Sequence, residues 1–346
     1  MKTGFVYDDV YLKHDTGEHP ENVKRLKAIM RYLERTGPWQ QLEAFSPAVA
    51  AVPAIALVHN RDYIEKVREM AEKGGGQLDA DTIVSAGSYD AARFAAGGAI
   101  KAVEAVIEEQ MDSVFALVRP PGHHALAGRG MGFCLFNNIA IAAKYALQKY
   151  GLERIAIIDF DIHHGNGTQE TFYDDSKVLY ISTHQAAHFP GTGKVEETGG
   201  GKAGGSNINI PLPAACGDNE YEKVYGEIVV PAVKRFKPQL IMVSAGYDGH
   251  WADGLAMMRL SIGGFAMIAG IIKKLADEVC DGRIVLSLEG GYNLTVLSAA
   301  VRATFEVLLG TEIKDIEDKL GQLPLEVETP DISALVGQIK EIHNLS

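Results

Sequence analysis

Five apolar runs, each stopping on a polar, glycine-bearing or histidine-bearing turn, constrain this chain more than any other feature. Val114–Val118 leads into Arg119-Pro-Pro-Gly-His-His124, and Ile155–Ile158 into Asp159-Phe-Asp-Ile-His-His-Gly-Asn-Gly167. Val178–Ile181 leads into Ser182-Thr-His184, Leu240–Val243 into Ser244-Ala-Gly-Tyr-Asp248, and Ile284–Leu288 into Glu289-Gly-Gly-Tyr-Asn293. Short β-branched runs without alternation read as strands buried on both faces. Helical spacing of apolar residues predicts helices over about 22–35, 61–72, 88–110, 137–150, 220–236 and 264–279. Strands alternating with helices predict an α/β fold with a mostly parallel central sheet and helices on both faces. In such sheets ligands bind outside the carboxyl ends of the strands, so the five turns are expected to meet at one crevice.

The rest of the chain is less regular. Gly4–Tyr7 reads as a first strand, residues 45–58 fit neither period, and Gln77–Ser85, with Asp79 and Asp81, reads as an exposed loop. Without a linker or composition break, residues 1–346 are expected to form one domain with its core over about 4–310. The tail, 311–346, should carry a short outer helix built on Ile332, Leu335, Ile339 and Ile342.

A net charge of −12 argues against a nucleic-acid partner, since phosphate contacts need basic patches. Three widely spaced cysteines, with no CxxC pair, argue against a disulfide framework or a thiolate metal site and favour a cytoplasmic setting. Lys2, Asp8 and Asp9 make the N-terminus unlike a signal peptide. The longest uncharged apolar stretch, Phe45–Val58, contains two prolines and is too short to span a membrane. Homo-oligomerisation is left open.

The second turn carries the chemistry. Asp159, Asp161 and His163 fall at i, i+2 and i+4, one side of an extended chain. Two carboxylates beside a buried strand are costly without a cation. Asp161 and His163 can supply two ligands of a three-ligand catalytic metal site, and Asp248, past another strand, the third. One imidazole and two carboxylates would accept zinc, iron(II) or cobalt. His123-His124 follow Pro-Pro-Gly; one can be oriented by a carboxylate such as Asp159 while the other moves protons. Tyr292, after two glycines, can donate to a developing oxyanion. Phe133 and Phe189 can line a narrow apolar channel.

These motifs, with Gly132-Phe-Cys134 and Pro190-Gly-Thr-Gly193, resemble the histone deacetylase superfamily in that family's order, over roughly residues 4–310. The resemblance implies a three-layer arginase/deacetylase-like fold and zinc-dependent hydrolysis of acyl amides. It implies that Asp161, His163 and Asp248 hold zinc, that His123 pairs with Asp159 and His124 with Asn166, and that Tyr292 polarises the carbonyl. Gly132, Phe133, Phe189, Leu255 and Gly291 would contact an acylated lysine peptide or another acetylated amine. A structural potassium ion would use Asp159, Asp161, His163, Ser182 and Thr183. Asn166, where class I members carry aspartate, and Ser244-Ala-Gly-Tyr-Asp248 point to the class II branch. Polyamine-directed members of that branch carry glutamate where Leu255 stands, which implies acetyl-lysine peptides here. Asp79 or Asp81 is the candidate rim residue for the peptide backbone.

Overall fold

The structure, a computed structural model, describes residues 2–36, 38–311 and 328–345. Its strands are β1 (Thr3–Val6), β2 (Leu42–Phe45), β3 (Gly75–Gln77), β4 (Ile83–Ser85), β5 (Ser113–Ala116), β6 (Ile155–Asp159), β7 (Val178–Gln185), β8 (Asn207–Leu212), β9 (Leu240–Ala245) and β10 (Ile284–Leu288). Eight of them form one sheet in the order β2-β1-β5-β10-β9-β6-β7-β8, every neighbouring pair parallel. The five apolar runs become β5, β6, β7, β9 and β10, whose residues are buried without exception. Burial on both faces is why they lack the alternation of a half-exposed strand.

Helices cover both faces of this sheet. The Ala-rich helix Ser88–Ile107 lies along β1, β5 and β10 and packs against Asn138–Lys149. Leu294–Leu309 packs against Lys24–Arg35 and Ile262–Val279. Two of these helices start where the crevice ends, each on an asparagine. The Asn137 side chain accepts the N–H of Ala140 at 3.1 Å, and that of Asn293 accepts the N–H groups of Thr295 and Val296 at 3.2 and 3.3 Å. Such caps satisfy donors that a helix N-terminus leaves free.

Several stretches differ from the sequence expectation. Residues 77–85 are not a plain loop: β3 and β4 pair antiparallel, and Val84 is buried. Three-residue strands are too short to show a period. Residues 45–58 end β2 and then hold the short helix Val52–Ile55. The expected helix over 220–236 begins at Asp218 and is interrupted by a π turn at Tyr225–Val229, ahead of Pro231, which has no N–H to donate. The edge strand β8 tolerates Pro211 because it pairs only with β7. The tail helix forms as Ser333–His343; Ile332 and Ile339 are buried and Leu335 packs partly buried against the core as expected, whereas Ile342 is 36% exposed and Val336 is buried instead. The preceding part of the tail, 312–327, lies outside the described residues.

Gly97, inside Ser88–Ile107, separates two physical effects. Helix propensity favours alanine over glycine by about 1 kcal/mol. A Cβ at Gly97 would run into the backbone carbonyl oxygen of Ala48, however, and backbone cannot swing away as a flexible side chain can. Gly97→Ala is therefore expected to destabilise the protein by about 1–3 kcal/mol, the cost of overpacking. A raised thermal midpoint would contradict this packing.

Candidate active site

The carboxyl ends of the central strands meet as expected. Strand β6 ends at Asp159, level with Ser182 on β7 and Ser244 on β9. Just beyond, Asp161, His163 and Asp248 place one ligand atom each within 4.8 Å of one another. His163 Nδ1 lies 3.1 Å from Asp161 Oδ1 and 3.1 Å from Asp248 Oδ2. The Gly290 N–H donates to Asp161 Oδ2 at 2.8 Å, while Asp248 Oδ2 is buried without a hydrogen bond of acceptable geometry. Two buried carboxylate oxygens converging with an imidazole nitrogen, one of them lacking a donor, fit a divalent cation of the zinc type; iron(II) and cobalt suit the same donors. Burial opposes a charge on His163, but the adjacent carboxylates of Asp161 and Asp248 overcome it and raise its pKa to about 10, so a proton balances the carboxylates when no cation does.

Asp159 does not join this cluster. The strand ends at Asp159, before the period-two pattern reaches Asp161, and the Asp159 carboxylate is engaged by other partners. It accepts from the Tyr180 hydroxyl at 3.0 Å and lies 3.0 Å from His123 Nδ1. Burial works against charge on His123, yet the carboxylates of Asp161 and Asp159 prevail and raise its pKa to about 10. His124 differs: burial, with His123 and His163 beside it, holds its pKa well below the usual imidazole range. Its Nδ1 is 2.8 Å from Asn166 Oδ1, an acceptor, so Nδ1 carries the hydrogen and Nε2 is left as the basic nitrogen.

A pocket of about 210 Å³ reaches this cluster and is lined by Asp81, His124, Gly132, Phe133, His163, His188, Phe189, Leu255 and Tyr292. Phe189 meets the His124 ring edge-on at 5.1 Å, and Phe133 meets Tyr292 in the same way at 5.7 Å. Gly132 has φ +55°, and a Cβ there would overlap the His124 ring, so the wall can come this close only at glycine. Gly291 is not part of the lining; its carbonyl is taken by Arg25 Nε at 2.7 Å. The two rim aspartates part company: Asp79 Oδ1 accepts the N–H groups of Asp81 and Thr82, whereas Asp81 borders the pocket. Ser182 and Thr183 are buried on β7, with Thr183 Oγ1 3.3 Å from the Asp159 carbonyl oxygen.

The sequence reading missed four supports of the site. His188 stacks on His163 at 5.2 Å and donates through Nε2 to the Leu255 carbonyl at 2.9 Å. Asp253 accepts the N–H of Tyr292 at 2.5 Å and that of Asn293 at 2.8 Å. The Arg25 guanidinium lies 5.0 Å over the Tyr292 ring and also bonds Glu21, which pairs with Arg119. The Glu289 carboxylate reaches back to the turn that carries the histidines. Arg119 and Glu289 stood inside quoted motifs, but a sequence does not say what a buried charge faces.

A family model described as the histone deacetylase domain matches residues 19–308. The "Probable deacetylase" of Archaeoglobus fulgidus is 42% identical to this chain over 349 aligned positions, covering 100% of this chain and 96% of the relative. The "Histone deacetylase-like amidohydrolase" of Pseudomonas aeruginosa is 35% identical, over 95% of this chain and 91% of its own length. Among solved structures, the HDA15 HD domain superposes with a TM-score of 0.89 at 32% identity, covering 99% of this chain and 94% of that one.

A Cβ on Gly290 would overlap the Asp248 carboxylate and crowd that of Asp161. If these residues hold a divalent cation of the zinc type, Gly290→Ala should lower the zinc bound per chain, measured by metal analysis after dialysis, although no ligand atom is removed. Full zinc content in that variant would contradict the metal assignment.

Proposed function

The chain belongs to the histone deacetylase family, and on that premise we propose that it hydrolyses the acyl amide of N-ε-acetyl-lysine in peptides or proteins, using zinc. The observation that carries the reading is the pocket itself. It is narrow, walled by Phe133 and Phe189, and ends where His124, Tyr292 and the cluster of Asp161, His163 and Asp248 meet. An acetyl-lysine side chain has the matching form: an apolar stem with an amide at its tip.

Zinc held by Asp161, His163 and Asp248 would supply a Lewis acid that makes water more acidic and polarises an amide carbonyl. The remaining roles belong to the chain. His124, held neutral and with Nε2 basic, takes a proton from the attacking water and returns it to the departing amine. His123 stays charged between Asp159 and Asp161 and favours the negative charge that develops on the acyl oxygen. Burial, and then Asp248, raise the pKa of the Tyr292 hydroxyl well above its ordinary value, so it remains a donor for that oxygen. Asp81 is the candidate for holding the peptide backbone at the rim. A potassium ion near Asp159, Asp161, His163, Ser182 and Thr183 belongs to the same reading, supported by Thr183 Oγ1 beside the Asp159 carbonyl. So does a cytoplasmic setting, supported by three buried, unpaired cysteines. Among the described residues no helix is long and apolar enough to cross a membrane. A binder without activity would have no use for both a proton acceptor and an oxyanion donor beside the metal cluster.

Losing one oxyanion donor typically costs about 10²–10³ in kcat. Tyr292→Phe is expected to show that loss with zinc content and thermal midpoint unchanged; near-normal kcat would remove Tyr292 from the reaction.

Leu255 sets the choice between substrates. It borders the pocket and offers no charge to a distal ammonium, whose burial against an apolar side chain is unfavourable. Acetyl-lysine peptides should therefore be turned over faster than acetylated spermidine or putrescine, and Leu255→Glu should narrow or reverse the ratio of kcat/KM. Faster turnover of acetylated polyamines by the unmodified protein would contradict the peptide reading.

A further inference from the structure

Glu289 takes no part in the steps above, yet its side chain is fully buried and bonds no cationic side chain among the described residues. Its Oε2 accepts the N–H of Gly122 at 2.7 Å and that of His123 at 3.1 Å, and its Oε1 accepts the Ser244 hydroxyl at 3.2 Å. One carboxylate thus ties the end of β10 to the ends of its two sheet neighbours, β5 and β9. Pro120 and Pro121 have no N–H, so the first two backbone donors after Arg119 are both taken by this group. On its other side the turn is wedged: a Cβ on Gly122 would press on the backbone of Phe136, Asn137 and Asn138.

We propose that Glu289 is the positioning residue of the histidine pair, its two N–H bonds fixing where His123 and His124 stand relative to Asp161, His163 and Asp248. This rests on the amide-hydrolysis reading of the site. The side chain contributes reach rather than charge. Asp159 and Asp161 lie 3.0 and 3.7 Å from the His123 ring nitrogens and already supply the negative field there. Glutamine could accept both N–H groups through its oxygen and donate to Ser244 Oγ through its amide. Aspartate keeps the charge but retreats by one carbon–carbon bond, about 1.5 Å. A misplacement of about 1 Å in a reacting group can cost on the order of 10²-fold in rate.

The test is steady-state kinetics of the unmodified protein, Glu289→Gln and Glu289→Asp on an acetyl-lysine peptide, with zinc content and thermal midpoint measured on the same preparations. The expected result is a kcat lowered about 10²-fold in Glu289→Asp with KM and zinc unchanged, and a kcat within about tenfold of the unmodified protein in Glu289→Gln. The opposite order would make charge the contribution and overturn the proposal. So would loss of zinc in step with kcat, or unmodified kinetics in both variants. A loss of about 10²-fold in Glu289→Gln overturns it alone, whether or not Glu289→Asp folds. Failure of the unmodified protein to hydrolyse any acyl-lysine peptide would instead overturn the proposed function, and this proposal with it.

Discussion

Two carboxylates, Asp161 and Asp248, stand side by side in a buried pocket floor with one imidazole between them, and the rest of the site is arranged around that repulsion. Removing such charges from water costs several kcal/mol each unless something balances them. A proton on His163 is one answer; a divalent cation satisfies the same oxygens and leaves His163 neutral. The approach is close because the neighbouring backbone is glycine: a side chain at Gly246 would overlap Asp161, and one at Gly290 would overlap Asp248. Glycine costs conformational entropy on folding. It is tolerated here because these turns leave the two most central strand ends, each hydrogen-bonded on both sides.

Around this floor the side chains proposed to act in the reaction are held mostly through their backbones. Glu289 takes the N–H groups of Gly122 and His123, Asp253 takes those of Tyr292 and Asn293, and Arg25 takes the carbonyls of Glu289 and Gly291. Arg25 is itself fixed by Glu21, whose burial would favour the neutral acid if Arg119 and His14 did not hold its carboxyl well below the usual range. Charge therefore passes outward from the reacting groups to a fully buried network joining the first helix, the loop before it and the end of β5. Such arrangements fix groups without occupying their reactive atoms: His124 and Tyr292 both line the pocket, and their hydrogen bonds run through His124 Nδ1 and the Tyr292 N–H rather than through Nε2 and the hydroxyl.

Much of this was legible in the sequence because the strongest constraints are local. Burial on both faces made β5, β6, β7, β9 and β10 visible as continuous apolar runs, and strand ends in a parallel sheet are where polar residues must gather. The parts that stayed hidden depend on distant partners. The i, i+2, i+4 spacing set Asp159 beside Asp161 and His163, and only the point where β6 stops leaves it to its other expected role, as the partner of His123. Gly291 looked like a substrate contact, yet Arg25, far away in sequence, claims its carbonyl. His188 gave no pattern because its stacking on His163 exists only once the loop after β7 folds back. The hairpin of β3 and β4 was too short for periodicity to reveal.

The measurement that reaches the central claim most directly is metal titration of the unmodified, chelator-treated protein, followed by thermal melting and by turnover of an acetyl-lysine peptide. The account predicts an inactive, less stable apoprotein that binds one zinc per chain and regains both activity and thermal midpoint in proportion to it. An apoprotein that hydrolyses the peptide at full rate, with a melting curve indifferent to zinc, would contradict it.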